Sequence, residues 1–193
     1  AIVIEGASVG LRFSDTAPPL RFENVDLELL PLDGPGSQMV LSGSMTTPMG
    51  TRVSVTGQGD VRTHCFRVVA KAAGLKLTPA GAEPFSLEVA RALTAADLSG
   101  HIASAQLWLE SQDGSTLRGG FQADLDVLTF CPPQFPRRLT GAAKIVGSLQ
   151  DQGSVNVQFE SRSERGVVKL EGSVQQLFAP LVEAHLALTL EGL

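Results

Sequence analysis

The chain has 193 residues, of which 43% are hydrophobic and only 18% charged, and its formal net charge at pH 7 is −5. Because disordered chains combine low hydrophobicity with high charge, this composition excludes a largely disordered protein. The lack of any Lys/Arg cluster larger than Arg137-Arg138 argues against nucleic acid as a partner, and the lack of an apolar run of about 18 residues argues against a membrane-spanning helix.

Apolar and polar residues alternate along most of the chain. Val25, Leu27 and Leu29 alternate with polar residues, and similar patterns recur at 121–127 and 155–159. Successive side chains of a strand point to opposite faces, so each segment predicts a strand with one apolar and one solvated face, as in antiparallel sheets. The pattern predicts eleven strands, at 2–13, 22–30, 38–45, 51–60, 65–77, 102–110, 116–130, 139–147, 154–161, 166–176 and 183–191.

Turn-forming residues separate most of these strands. Prolines at 18–19 and 132–133 mark two breaks, and Asp113-Gly114 predicts a hairpin loop longer than two residues. Glycines within strands often mark bulges or sharp bends, which we expect at three positions whose spacing of 62 and 53 residues suggests a loose repeat. These glycines are Gly57, Gly119 and Gly172.

One segment departs from the alternation. Residues 86–98 are rich in alanine and have apolar positions three or four apart, with Ser86 as a candidate N-cap and Gly100 as a stop. They predict a helix of two or three turns that covers an open end or edge of the sheet, with a strand over 87–92 as the alternative. The sequence thus predicts an all-β fold: a long curved, mostly antiparallel sheet, forming a groove or a partly open sandwich, with one short helix.

Both ends of the sequence fall within strand-like patterns. We therefore expect residues 1–193 to form a single elongated β domain that is a fragment of a longer, repeat-containing protein.

The cysteines and histidines lack the spacing of metal ligands. Cys65 and Cys131 are 66 positions apart, whereas zinc sites use close pairs of ligands, and they predict either one disulfide or two free buried thiols. The histidines His64, His101 and His185 are far apart and are expected to be solvated. We expect no metal and no other cofactor.

The sequence contains no recognisable catalytic motif. His64 and Cys65 are adjacent, so on a strand they would face opposite sides and could not form a dyad. Asp124 and Asp126 lie on the predicted polar face, where paired carboxylates are most simply solubilising charges. Residues 57–60 lack the phosphate-loop pattern, and no serine lies in a G-x-S-x-G elbow. We therefore expect no catalytic residues and a protein that is not an enzyme.

Trp108 is the single tryptophan of the chain. It lies between Leu107 and Leu109, so it faces the opposite side, beside Gln106 and Glu110. We expect the ring to pack under a loop or helix. A contact with a ligand, a partner or a membrane interface, where amphipathic rings are enriched, is the alternative.

Several segments resemble AsmA-like proteins, a superfamily that includes the large bacterial envelope proteins of the TamB and YhdP type. The resemblance lies in residues 19–29 with their Asn-Val-Asp-Leu sequence, in 41–43, and in 53–61 with Gly-x-Gly-Asp; residues 92–109 are similar to the linking elements of that family. It implies a long curved sheet, open as a groove, in the periplasm or cell envelope of a bacterium, and a role in moving or organising lipids between membranes. It implies no catalytic residues.

A sheet with one apolar face must cover it with another layer, a partner or a ligand. We expect a non-enzymatic β-groove segment that shelters or passes lipid acyl chains, for membrane biogenesis or intermembrane lipid transport. The expected partners are a lipid or other acyl-chain ligand and neighbouring β repeats of the parent chain, with membrane contact only through parts outside this segment. The candidate lining residues are Val25, Leu27, Leu29, Val53, Val55, Leu107, Leu109, Phe121, Leu125, Val127, Val155, Val157, Phe159, Leu186, Leu188 and Leu190.

Two other functions stay open at this point. The same apolar residues would form an ordinary core in a closed β-sandwich, which would suit an adhesion or scaffold module that binds protein or glycan through its loops. An enzyme would require a cleft that gathers Asp, Glu or His from several strands.

Overall fold

The computed structural model describes residues 1–11, 20–32, 36–82, 87–131, 138–148, 150, 153–163, 166–175 and 183–191. These residues form strands β1 (Ile2–Leu11), β2 (Leu20–Pro31), β3 (Gln38–Thr46), β4 (Arg52–Asp60), β5 (Cys65–Leu77), β6 (Ser99–Ser111), β7 (Leu117–Phe130), β8 (Leu139–Ser148), β9 (Ser154–Ser163), β10 (Gly166–Gln175) and β11 (Glu183–Glu191), with helices α1 (Pro79–Ala82) and α2 (Leu87–Ala95) between β5 and β6.

All eleven strands described belong to one open antiparallel sheet. Their spatial order is their order in the chain, so each strand pairs with the strands before and after it, and β1 and β11 form the two edges. The predicted all-β antiparallel fold is confirmed, and the sheet is open and uncurled where the prediction had it curved. In the described residues no second sheet packs on the first, unlike the two layers that a closed sandwich requires.

Most of the predicted elements agree with the structure. The helix expected within 86–98 is α2, so the alternative strand over 87–92 is wrong, while the single turn α1 has no counterpart in the prediction. Ser86 and the prolines at 18–19 and 132–133 lie outside the described residues.

Cross-strand pairing gives the sheet two chemically different faces. Directly paired residues point to the same side, so rows of partners across the strands define each face. An apolar row, which defines the apolar face, runs through Ile4, Leu27, Gly43, Val55, Ala70, Leu107, Phe121, Gly147, Val155 and Val174. The neighbouring row, on the polar face, runs through Glu28, Ser42, Thr56, Val69, Trp108, Gly120, Ser148, Ser154 and Gln175.

The bulges lie at positions other than those predicted. Gly57, Gly119 and Gly172 all pair in unbroken register, so the expectation of bulges there is wrong. The register instead shifts within β1, β2, β6 and β7. At the first shift the amide of Gly6 donates a hydrogen bond to Asp26 Oδ1, over 2.8 Å, which ties the irregular part of β1 to β2.

The best-packed part of the apolar face lies on β7, β8 and β9. Its centre is a cluster of Leu125, Leu128, Ala143 and Phe159, and Leu98 from the segment after α2 packs against it. The Cys131 amide donates to the Ala96 carbonyl over 2.9 Å, and Arg138 forms an ion pair with Asp97. These contacts hold the segment after α2 against the end of β7, so this segment helps to cover the cluster on β7, β8 and β9.

The β6–β7 loop, residues 112–116, is closed by one side chain. Asp113 Oδ1 accepts hydrogen bonds from the amides of Ser115 and Thr116, over 2.9 and 2.6 Å, and Oδ2 accepts one from Thr116 Oγ1 over 2.7 Å. These hydrogen bonds favour the ionised form and hold the pKa of Asp113 well below its ordinary value. The prediction of a hairpin loop longer than two residues at Asp113-Gly114 is confirmed.

We expect Asp113→Ala to lower the melting temperature at pH 7. A carboxyl whose folded pKa is depressed stabilises the protein above its unfolded pKa of about 3.9, and this contribution is lost as the pH falls toward the folded pKa. The difference in melting temperature between wild type and variant should therefore shrink between pH 5 and pH 2, measured by circular dichroism. Asp113→Asn, which keeps an acceptor oxygen, is the control and should lose less. A difference that stays constant over this range would contradict the assignment.

Candidate functional site

The candidate lining residues lie together on the apolar face, with one exception. The candidates lie on β2, β4, β6, β7, β9 and β11. Apart from one residue of β7, the register places them on the same side of the sheet as the row that contains Val55 and Leu107. The alternation in the sequence therefore identified one continuous surface that runs from β1 to β11.

Val127 is the exception and lies on the polar face. The register of β7 shifts between Leu125 and Leu128, which inserts an extra residue and reverses the alternation beyond that point. Val127 consequently pairs with His101 and is 44% exposed, whereas Leu128 is 6% exposed and belongs to the central cluster. The prediction of Val127 as a lining residue is therefore corrected to Leu128.

Exposure of the apolar face differs from strand to strand and is high on both edge strands. Val25 and Phe159 are only 1% and 3% exposed. At one edge Leu186 of β11 is 73% exposed and lies on the same face as the exposed Leu188 and Leu190, while at the other edge Ile2 of β1 is 59% exposed. Contiguous exposed apolar surface of this kind marks a binding surface more often than an ordinary protein exterior.

Glycines on the apolar face make room for larger neighbours. A Cβ atom at Gly147 would lie 2.1 Å from Cε1 of Phe121, and one at Gly43 would lie 2.7 Å from Cδ2 of Leu27. Each larger side chain therefore lies across the neighbouring strand instead of standing away from the sheet. These two side chains therefore lie close to the backbone of the sheet on the apolar face.

Two aspartates of the polar face each have a hydrogen-bonding partner on β6. His101 Nδ1 lies 2.7 Å from Asp126 Oδ1, and this hydrogen bond lowers the pKa of Asp126. Ser104 Oγ donates to Asp124 Oδ2 over 3.0 Å, so the two aspartates have separate partners. Both groups of this His–Asp pair are about half exposed. The arrangement keeps Asp126 ionised, which is the opposite of what an acid catalyst requires.

Cys65 and Cys131 are not joined by a disulfide, so the disulfide alternative is wrong. Cys65 begins β5, at the end of the sheet where β7 starts, and Cys131 follows the last residue of β7. The 14 residues of β7 span roughly 45 Å at about 3.3 Å per residue, far beyond the reach of a disulfide. The Cys65 thiol donates to the carbonyl of Gln112 over 3.0 Å, and His64 lies in the preceding turn with a φ of 57°.

A depression of about 470 Å³ lies near Cys65, where β3 to β6 meet at one end of the sheet. Its charged groups already have partners. Arg67 Nε lies 3.9 Å from Glu110 Oε2, and Ser37 Oγ donates to Asp60 Oδ1 over 2.6 Å, which is the main cause of a lowered pKa at Asp60. Among the described residues no three His, Cys, Asp or Glu side chains come together as metal ligands.

Sequence reasoning missed a second depression, of about 270 Å³, on the polar face around Trp108. The ring of Trp108 lies against Gly120 of the next strand, where a Cβ atom would be 3.0 Å from Cε2 and Cζ2. The expectation that a loop or helix covers this ring is therefore replaced by packing on a glycine within the sheet. The signal in the sequence was the tryptophan itself, on the polar side of an alternating strand.

Comparison of the chain with protein-family models, with curated proteins and with solved structures gives no match. Within the described part of the chain, neither helix has the length and hydropathy needed to cross a membrane.

Proposed function

We propose that this chain is a non-enzymatic β-sheet segment whose apolar face shelters or passes lipid acyl chains, for membrane biogenesis or lipid transport between membranes. The observation that carries the proposal is the apolar face, which continues across all eleven strands and is exposed toward both edges among the described residues. The resemblance to AsmA-like proteins supports the same proposal, and with it we propose a location in the periplasm or cell envelope of a bacterium.

The chemistry of the apolar face suits acyl chains better than other ligands. Its exposed residues are mostly branched aliphatic side chains, such as Leu107, Leu186 and Leu188, and the partners of Leu188 and Leu186 on β10 are Leu170 and Gly172. Each CH₂ group moved from water onto such a surface gains about 0.8 kcal/mol, so affinity grows with chain length. A flexible chain can follow a lining of this kind, whereas a polar ligand would lose its hydration without compensation.

The ends of the sheet suit continuation by further strands. β1 and β11 are edge strands, so each presents backbone groups that a neighbouring strand can pair with. Neighbouring β repeats of the parent chain would extend the apolar face, and membrane contact would be made by parts outside this segment.

Photocrosslinking at paired positions tests the proposal. A benzophenone amino acid at Leu107 or Leu188, on the apolar face, is expected to crosslink phospholipid during expression or after incubation with vesicles. The same group at Gln106 or Thr189, the neighbouring positions on the polar face, is the matched control and should not crosslink phospholipid. Crosslinks of equal yield on both faces, or none on the apolar face, would refute acyl-chain binding.

Charge substitution gives a quantitative version of this test. Leu107→Asp combined with Leu188→Asp is expected to weaken binding of a fluorescent fatty acid by about tenfold or more, because each carboxylate would be desolvated beneath the chain. Both positions are exposed in the free protein, so the change should leave the circular dichroism spectrum unaltered. Unchanged affinity in the double variant would contradict the proposal.

A further inference from the structure

The depression around Trp108 lies on the opposite side of the sheet from the apolar face and has a different chemistry. It spans β6 to β9 and has a volume of about 270 Å³. The described residues that line it are all uncharged. Seven of them belong to the polar face, and Phe121 and Gly147 belong by register to the apolar row; the seven are Gln106, Trp108, Gln122, Val146, Ser148, Ser154 and Asn156.

Strand register brings the aromatic and polar side chains together. Trp108 lies in a row with Gly120, Ser148 and Ser154, and the adjacent row on the same face consists of Gln106, Gln122, Val146 and Asn156. Because Gly120 has no side chain, Cε2 and Cζ2 of the indole can lie close to its backbone, only 3.0 Å from where a Cβ atom would be. The half-buried ring therefore forms one wall, and amide and hydroxyl groups surround it.

Several of these polar groups have unused hydrogen-bonding capacity. Gln122 Nε2 donates to Asp124 Oδ2 over 3.2 Å, and Ser148 Oγ accepts from the amide of Gln150 over 3.2 Å. In the part of the chain that the structure describes, the side chains of Gln106, Asn156 and Ser154 form no such bond. Each primary amide offers two donors and a carbonyl acceptor, so the depression presents both kinds of group to a ligand.

We propose that this depression binds a neutral saccharide, with one pyranose ring stacked against Trp108 and its hydroxyl groups hydrogen-bonded to the amides of Gln106 and Asn156. A pyranose combines an apolar face of C–H groups with a rim of hydroxyls that both donate and accept. The negative π-face of an indole attracts the C–H groups, and planar amides match the hydroxyls.

Other classes of ligand fit the depression less well. A nucleic acid or other phosphate ligand requires cationic groups, and there are none among the described residues that line the depression. A stable protein interface buries roughly 800 Å² on each partner, which is far more than this small concavity can supply. An acyl chain would leave the amides desolvated and unpaired. The proposal is independent of lipid binding, since the two surfaces lie on opposite faces of the sheet.

Trp108 itself supplies the measurement, because the chain has one tryptophan and no tyrosine. We expect titration of the protein with cellohexaose, maltohexaose or chitohexaose to change the tryptophan emission in a saturable way. Asn156→Ala and Gln106→Ala should weaken binding of the same oligosaccharide by about tenfold, while Gln158→Ala, on the same face but outside the depression, should leave it unchanged.

A second pair of variants separates ring stacking from folding. Trp108→Ala should abolish binding measured by isothermal titration calorimetry, and Trp108→Phe should restore part of it, since a smaller ring still offers a π-face. The absence of a saturable signal with all three oligosaccharides would overturn the proposal, as would equal affinity in wild type and Asn156→Ala. Binding confined to sulfated or phosphorylated sugars would also overturn it. Fatty-acid binding, measured in the same samples, should be unaffected by these variants.

Discussion

Replacing Phe159 with alanine is expected to lower the free energy of unfolding by about 3–5 kcal/mol. Phe159 is 3% exposed and packs in the central cluster with Leu125 and Ala143. Its ring meets that of Phe130 edge to face, with centroids 4.9 Å apart and an interplanar angle of 77°. Truncation would remove this contact and leave a cavity that a one-layer sheet cannot close without distorting β8 or β10.

Urea unfolding followed by circular dichroism measures this change, and Leu186→Ala is the matched control. Leu186 lies on the same apolar face but is 73% exposed, so its truncation should alter stability by no more than about 0.5 kcal/mol. The comparison also tests the exposure on which the proposed function depends. Similar losses of stability at the two positions would mean that the β11 side of the face is as well covered as its centre.

The strand pattern could be predicted because it depends on a local property of the sequence. Polar and apolar residues alternate wherever a strand has one solvated face, and this period is visible without knowledge of which strands pair. Val155, Val157 and Phe159 illustrate the point, since their shared side follows from spacing alone. In a meander, moreover, each strand pairs with its neighbour in sequence, so the local faces add up to one continuous surface.

The bulge in β7 shows where the same reasoning failed. Strict alternation predicts Val127 as the next apolar residue after Leu125, but the structure inserts an extra residue and continues the apolar side with Leu128 and Phe130. Two apolar residues in succession, Val127 and Leu128, were the available signal of a slip in register. Which of the two becomes buried depends on pairing with β8, and this information lies outside β7 itself.

The depression on the polar face could not be predicted for a related reason. Trp108 and Asn156 are 48 positions apart and come close only because β6, β7, β8 and β9 pair in a particular register. The space for the ring depends on Gly120 being its direct partner. The sequence shows a tryptophan on a polar face, but which residue pairs with it across the strands can be known only from the fold.

Gly141→Ala is expected to destabilise the protein by about 1–3 kcal/mol, although alanine is normally tolerated in a strand better than glycine. A Cβ atom at this position would lie 2.1 Å from the carbonyl oxygen of Glu160 and 2.9 Å from the Cα of Ser161. Both are backbone atoms of β9, so the clash could be relieved only by moving β8 away from its partner. Gly141 also pairs with Leu128, directly beyond the register shift of β7, so that movement would disturb the central cluster.

Gly172→Ala is the matched substitution in a strand with room for a side chain. The nearest atom to its Cβ would be Cδ1 of the exposed Leu186, at 3.3 Å, and a small rotation of that side chain accommodates it. Because alanine restricts the unfolded chain, we expect Gly172→Ala to be neutral or to stabilise the protein by up to about 1 kcal/mol. Thermal and urea unfolding of the two variants should therefore give changes of opposite sign or very different size. Equal destabilisation by both would show that close approach of β8 and β9 does not explain the glycine at 141.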